Sequence, residues 1–268
     1  MPELPEVETS RRGIAPHITG QTITGSIARA PKLRWPIPKL DFLKGQTIHK
    51  VSRRAKYLLI RCDTGTLILH LGMSGSLRVL PSNSPAAKHD HFELVMGDIA
   101  LRLRDPRKFG AVLWTSEDPA SHSLISHLGP EPLNAEFTAD YLFSQTQKRT
   151  AAIKQVIMDN KVVVGVGNIY ATESLFLSGI HPARAAKRIS KARIEELHRH
   201  IVEILRYAIK RGGTTLRDFQ QQDGSPGYFQ QELWVYGRSG EACKSCGSTL
   251  KHKLLGQRTS AYCPQCQR

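Results

Sequence analysis

Acid is what this chain has too little of. Its 268 residues hold 23 Asp and Glu against 38 Lys and Arg, a formal net charge of +15 at pH 7. A soluble chain so unbalanced expects a polyanion as its partner, and nucleic acid is the usual one, with a membrane surface as the rival. No stretch reads as a membrane-spanning helix, a secretory signal or a lipidation motif, so the expectation is a cytoplasmic protein with no membrane attachment. Cysteine is scarce as well, with five in all. In a chain without a secretory signal, disulfides are the disfavoured use for them. No internal repeat is visible, and the length suits a sizeable core and two domains.

Four of the five cysteines are grouped. Cys243-x₂-Cys246 and Cys263-x₂-Cys266 stand sixteen residues apart, inside the range of a four-thiolate zinc site. Such a site has no open coordination position, so one structural Zn²⁺ is expected, holding shape and doing no chemistry. Cys62 closes the apolar run 57–60 and reads as a buried thiol.

The chain opens Met1-Pro2-Glu3-Leu4-Pro5-Glu6. Removal of Met1, which the small second residue permits, leaves a secondary amine on Pro2. An α-amino group with a pKa near about 7.8 is roughly one-seventh free base at pH 7, some hundreds of times more than a lysine at about 10.4. Attack by that amine on a sugar aldehyde gives an iminium that stays cationic, and Glu3 can act as its general acid or base. The same residues also suit a helix start: Pro5 in the first turn, Glu6 and Glu8 early, with Arg11, Arg12 and Gly13 closing a short helix. Composition alone leaves both readings open.

Between 23 and 114 the pattern is strand-like. Leu67, Leu69, Leu71 and Met73 alternate, as do Leu101 and Leu103 against Arg102 and Arg104. Short apolar runs at this spacing predict a β-sandwich or flattened barrel. After Gly129-Pro130-Glu131-Pro132 the period becomes helical. Helices are predicted over 149–159, over 169–177 with Asn168 as cap after the turn Val164-Gly165-Val166-Gly167, and from Ser190 to the stop at Gly212-Gly213. The polar segment 214–228 reads as a loop, and the cysteine module begins at Trp234. The expected architecture is α+β, with domains over 1–131, 132–233 and 234–268.

MPELPEVETSRRG at the start, HLGMSGSL at 70–77, DPRKFG at 105–110, VGVGNIYATE at 164–173 and the cysteine module follow one another in a fixed order. Over essentially its full length the sequence resembles the bacterial formamidopyrimidine-DNA glycosylases. The resemblance implies an N-terminal β-sandwich joined to a helix–two-turns–helix domain and a zinc finger. It implies a repair enzyme that extrudes an oxidised purine from double-stranded DNA, releases it through a Schiff base at Pro2 with Glu3 moving protons, and cleaves the strand by β,δ-elimination.

By the same resemblance Lys56 assists β-elimination, and Arg258, inside the cysteine loop, is an arginine finger on a phosphate. Met73, Arg107 and Phe109 fill the gap left by the extruded base, although Met73 and Phe109 are also ordinary strand-core residues in type. His89, Arg149 and Asn168 match positions that contact the DNA backbone, with Gly165-x-Gly167 as part of a phosphate cradle. Glu173 and the loop 214–228 are candidates to line the base pocket. A monomer is expected, on the nucleoid of a bacterial cytoplasm. Two rivals remain: endonuclease VIII, the sister family that prefers oxidised pyrimidines, and a zinc protein that binds DNA without chemistry. The second has no use for a free Pro2.

Overall fold

Helix α1 (Leu4–Ile18) shows how local sequence sets the frame. Pro5 fits the first turn because the N–H it lacks would have no helical partner there, and the Glu6 carboxylate accepts the Glu3 backbone N–H at 2.8 Å. The helix does not close at Gly13 as the basic pair and glycine suggest. Ile14 and Ile18 prolong the apolar stripe begun by Leu4 and Val7, and all four are buried. Each such side chain contributes about 1.5–3 kcal/mol on burial, more than the roughly 1 kcal/mol a helical glycine costs.

The structure, a computed structural model, describes residues 2–213 and 233–268. They fall into two compact units: 2–126 with 211–213, and 127–210 with 233–268. The first unit holds α1 and eight strands: β1 (Gly25–Ala28), β2 (Lys50–Arg54), β3 (Tyr57–Arg61), β4 (Thr66–His70), β5 (Ser76–Pro81), β6 (Asp90–Met96), β7 (Ile99–Arg104) and β8 (Ala111–Thr115). They form two four-stranded sheets, ordered β1-β6-β7-β5 and β2-β3-β4-β8, and neighbouring strands in both run antiparallel. One core draws on both sheets and α1, from Val7 and Ile14 through Leu58 and Leu69 to Phe92 and Leu103. This is the expected β-sandwich.

Two details depart from simple alternation. Strand β4 is buried on both faces, Ile68 as fully as Leu67 and Leu69. It ends at His70, so Met73 lies in the following turn rather than on the strand. On β7, Arg102 is not a solvent-facing partner to its leucines: it is 3 % exposed. Its guanidinium pairs with Glu93 and with Asp90, the latter at 3.4 Å, and donates to the carbonyls of Ser84 and Pro85. A buried cation needs that many partners to offset its lost hydration.

The second unit contains α2 (Ala139–Gln147), α3 (Ile153–Met158), α4 (Asn168–Leu177), α5 (Lys191–Lys210) and a hairpin, β9 (Lys251–Leu255) and β10 (Arg258–Tyr262). The helix expected over 149–159 is shorter, because Ala152 leaves the helical path to bridge Ala185. Helix α2, capped by the Thr138 hydroxyl on the Tyr141 N–H at 3.0 Å, precedes it. Gly167, not Asn168, caps α4. Helix α5 follows its predicted apolar face, burying Ile194, Leu197, Ile201 and Leu205. The hairpin packs against α4, and a small core of Phe176, Val235, Cys243, Leu250, Ala261 and Cys263 ties the cysteine module to that helix.

Candidate functional site

In the first unit, Pro2 and Glu3 stand at the α1 N-terminus and are both buried. Glu6 fixes the Glu3 backbone from below, and Gly213 lies close by. A Cβ on Gly213 would come within 3.0 Å of the Glu6 carboxylate, and its φ of +79° favours glycine independently.

Lys56 occupies the two-residue turn between β2 and β3. Its charge and that of Arg34 reach His70, whose pKa is pushed down to about 4 mainly by burial. The imidazole is therefore neutral at physiological pH, and its Nδ1 accepts the Gly72 N–H at 3.0 Å. That bond shapes the turn that carries Met73.

Met73, Arg107 and Phe109 are brought together, and the residue that does so is one sequence reasoning missed. Asp105 is fully buried. Its carboxylate accepts the Ser74 hydroxyl at 2.9 Å, the Gly110 N–H at 2.7 Å and the Arg107 N–H at 3.3 Å. Gly72 lets the two loops close: a Cβ there would lie 2.4 Å from the Phe109 carbonyl carbon. The Arg107 guanidinium rests 3.8 Å from the Met73 sulfur. Phe109 is 49 % exposed, which rules out strand core as its role. His89, at φ +78°, joins the cluster through its carbonyl, which accepts the Asp105 N–H at 3.0 Å. A planar cation resting on one apolar tip, with a second apolar tip exposed on the same double loop, is suited to wedging into a base stack.

In the second unit, Arg258 is exposed at the start of β10, delivered by the turn Gly256-Gln257. Both turn residues have positive φ, at +52° and +60°, as tight hairpins require. A Cβ at Gly256 would meet the Gln155 amide at 2.9 Å. Behind the hairpin, Lys154 is 1 % exposed and donates to the Ser260 hydroxyl at 2.7 Å and the Thr259 carbonyl at 3.3 Å. Asn168 reaches the same carbonyl through Nδ2 at 3.3 Å. The α4 start, the α3 start and the base of the arginine finger therefore share one strand. Arg149, in the link between α2 and α3, turns its guanidinium onto Gln145 at 2.9 Å and Asp159 at 3.8 Å.

Glu173 is not a pocket residue. It is fully buried on α4, and its carboxylate accepts the backbone N–H groups of Trp234, Val235 and Tyr236 at 2.7, 2.9 and 2.7 Å. Burial pushes its pKa up while those three amides pull it down. It fastens the entry to the cysteine module onto α4, assisted by Trp234 stacked on Phe176 at 5.7 Å. Glu173→Gln sets an NH₂ against at least one N–H donor. Loss of about 1–3 kcal/mol is expected in denaturant unfolding of this unit, and wild-type stability would refute the role. The other half of that expectation, the loop 214–228, lies outside the described residues.

The four grouped cysteines converge as the spacing predicted. All are free, and their sulfurs lie within 4.8 Å of one another. Cys246 and Cys263 are 3.4 Å apart, beyond the roughly 2.05 Å of a disulfide. Burial and the sulfurs of Cys246 and Cys263 push Cys266 up to about 12, whereas bonds from Ser248 draw Cys246 down to about 6. Thiols held this close cannot all ionise without a cation among them, so the donor set fits a tetrahedral thiolate metal.

Two family models cover most of the chain: the formamidopyrimidine-DNA glycosylase N-terminal domain matches residues 1–112, and its H2TH domain matches 128–220. The formamidopyrimidine-DNA glycosylase of Stutzerimonas stutzeri is 60 % identical over 271 residues, covering all of both chains. That of Thioalkalivibrio sulfidiphilus is 57 % identical over the same span, again with both chains fully covered. Among solved structures, the Fpg protein of Thermus thermophilus superposes with a TM-score of 0.91 at 34 % identity, covering 99 % of this chain and 98 % of its own. Lactococcus lactis Fpg, in complex with DNA containing an abasic site, gives 0.92 at 37 % identity, with 99 % of each chain covered. A chain that matches the family's domains in order, and its members from end to end, belongs to the formamidopyrimidine-DNA glycosylases.

Proposed function

We propose that this chain is a base excision repair enzyme that removes oxidised purines from damaged duplex DNA and then cuts the strand at the abasic site. Its family membership supports the glycosylase and lyase activities. The observation that carries the reading is the double loop in which Asp105 groups Met73, Arg107 and the exposed Phe109. A damaged base cannot be reached inside the stack. Extruding it costs a few kcal/mol, which three inserted side chains offset by filling the gap.

In the proposed sequence, the Pro2 nitrogen attacks the anomeric carbon and the base leaves as the C–N bond breaks. Ring opening gives a cationic iminium, and Glu3 moves the protons these steps require. The iminium draws electrons from the neighbouring carbon. Loss of a proton there, assisted by Lys56, expels the 3′ phosphate, and a second elimination expels the 5′ phosphate. Arg258, Asn168, His89 and Arg149 hold backbone phosphates during this chemistry, the arginines by forked donors that match phosphate geometry. Zinc, held by Cys243, Cys246, Cys263 and Cys266, supplies a fixed hairpin and no reacting group. We place the enzyme as a monomer on the nucleoid. No helix among the described residues is long and apolar enough to cross a membrane.

Borohydride trapping tests the reading. A covalent adduct with duplex holding 8-oxoguanine opposite cytosine, formed in preference to duplex holding thymine glycol, is expected. The reverse preference would point to the pyrimidine-directed sister family, and no adduct at all to a passive binder. Arg107 faces the orphaned base in this scheme. Arg107→Ala is expected to lose about 1–3 kcal/mol of discrimination between cytosine and adenine opposite the lesion, read as the ratio of excision rates. An unchanged ratio removes that role.

A further inference from the structure

The turn that carries Lys56 is held in a strained shape. Ala55 has φ +53° and is 3 % exposed. Strand pairing closes on either side of it, Arg54 opposite Tyr57, leaving Ala55 and Lys56 as a two-residue hairpin turn. Only the first turn residue has positive φ, a place hairpins usually give to glycine. An alanine persists there only when its surroundings over-determine it.

Those surroundings lead back to α1. Arg53 Nη1 donates to the Ala55 carbonyl at 2.8 Å, and Arg53 Nε donates to Glu8 at 3.3 Å. Glu8 is 9 % exposed and also takes both Arg11 Nε and Nη2, at 3.0 and 2.8 Å, and Arg12 Nε at 2.9 Å. Arg11 Nη1 reaches the Val51 carbonyl of β2 at 3.4 Å. Burial would raise the Glu8 pKa, but hydrogen bonds from Arg11 and Arg12 and the charges of Arg11 and Arg53 bring it below the usual carboxylate range. The carboxylate is thus a fixed anion on the helix that begins with Pro2 and Glu3.

We infer that Glu8 and Arg53 are positioning residues for Lys56, the helix carboxylate holding the guanidinium and the guanidinium holding the left-handed turn that aims the lysine. Nucleophile and elimination lysine are thereby referred to one helix. The inference rests on the role proposed for Lys56.

Single-turnover strand cleavage of a duplex with a preformed abasic site tests it, beside borohydride trapping on the same duplex. Arg53→Gln is expected to slow β-elimination about 10–100-fold, the scale of a misplaced proton-transfer group, and to change the trapping rate less than about threefold. Glycine adopts positive φ without the alanine penalty, so adding Ala55→Gly to Arg53→Gln should bring elimination back to within about threefold of wild type. A general structural defect would slow trapping as much as elimination, so the split between the two separates a misaimed Lys56 from a damaged fold. Wild-type elimination in Arg53→Gln, equal slowing of trapping and elimination, or no rescue by Ala55→Gly would each overturn the inference. A Lys56→Gln control separates the two layers. If it is slow while Arg53→Gln is not, the inference alone fails; if it eliminates like wild type, the role of Lys56 fails first.

Discussion

With even one residue left ahead of Pro2, base excision and borohydride trapping are expected to fall on the order of 10⁴-fold or more, the scale of removing a nucleophile, while lesion binding survives. An acylated proline nitrogen has its lone pair in the peptide bond and no proton to exchange. It can neither displace a base nor form an iminium. The loops carrying Met73, Arg107 and Phe109 do not depend on that nitrogen, because Asp105, Gly72 and His70 hold them. Two proteins decide the matter: one with its initiator methionine removed, the other with an uncleavable residue before Pro2. Mass spectrometry must confirm each terminus. Comparable excision from the blocked form would end the Schiff-base mechanism for this chain.

The second large effect is expected at the metal. Substituting Cys246 by Ser, or stripping the ion with a chelator, should raise the Kd for a duplex with a stable abasic analogue at least about 100-fold and leave the β-sandwich folded. Structural zinc of this type supplies about 10–16 kcal/mol of apparent binding energy, as much as the whole stability of an ordinary domain at about 5–15 kcal/mol. Without it, Glu173 still holds the module's entry on α4, but the small core around Cys243 and Cys263 loses its centre, and Arg258 loses its fixed turn. Two or more charge-assisted phosphate bonds go with it, each worth about 1.5–3 kcal/mol. Metal content, near-ultraviolet dichroism and the fluorescence of Trp234, stacked on Phe176, should change together. Tight lesion binding by metal-free protein would show that the hairpin does not serve the DNA.

Much of this was legible in the residues. The cysteine spacing named its own geometry, the α5 stripe from Ile194 to Leu205 set a helix and its buried face, and the short apolar runs between 23 and 114 announced the sandwich. The misses share a cause. Arg102, Lys154 and Glu173 are charged residues that the fold buries, and composition argues for their exposure. What reverses that preference is a set of partners far along the chain: Glu93 and Asp90 for Arg102, Ser260 for Lys154, and the amides of 234–236 for Glu173. Local pattern carries no record of such pairings. Asp105 escaped notice for a related reason, since a carboxylate within a basic motif looks like surface until its three donors are seen. Met73 was misplaced on a strand because the alternation runs on past the end of β4, and only the closeness of Gly72 to Phe109 shows why the chain must turn there.

One carboxylate, Asp105, joins two loops that present three side chains, through the Ser74 hydroxyl on one and the Arg107 and Gly110 N–H groups on the other. Those bonds leave the tips themselves untouched, so one tip can be exchanged while the shared anchor and the other two stay in place. Descendants of this protein that acquire a taste for different damage should therefore keep the carboxylate and differ at the tips one at a time, and replacements of the anchor itself should turn up as cripples.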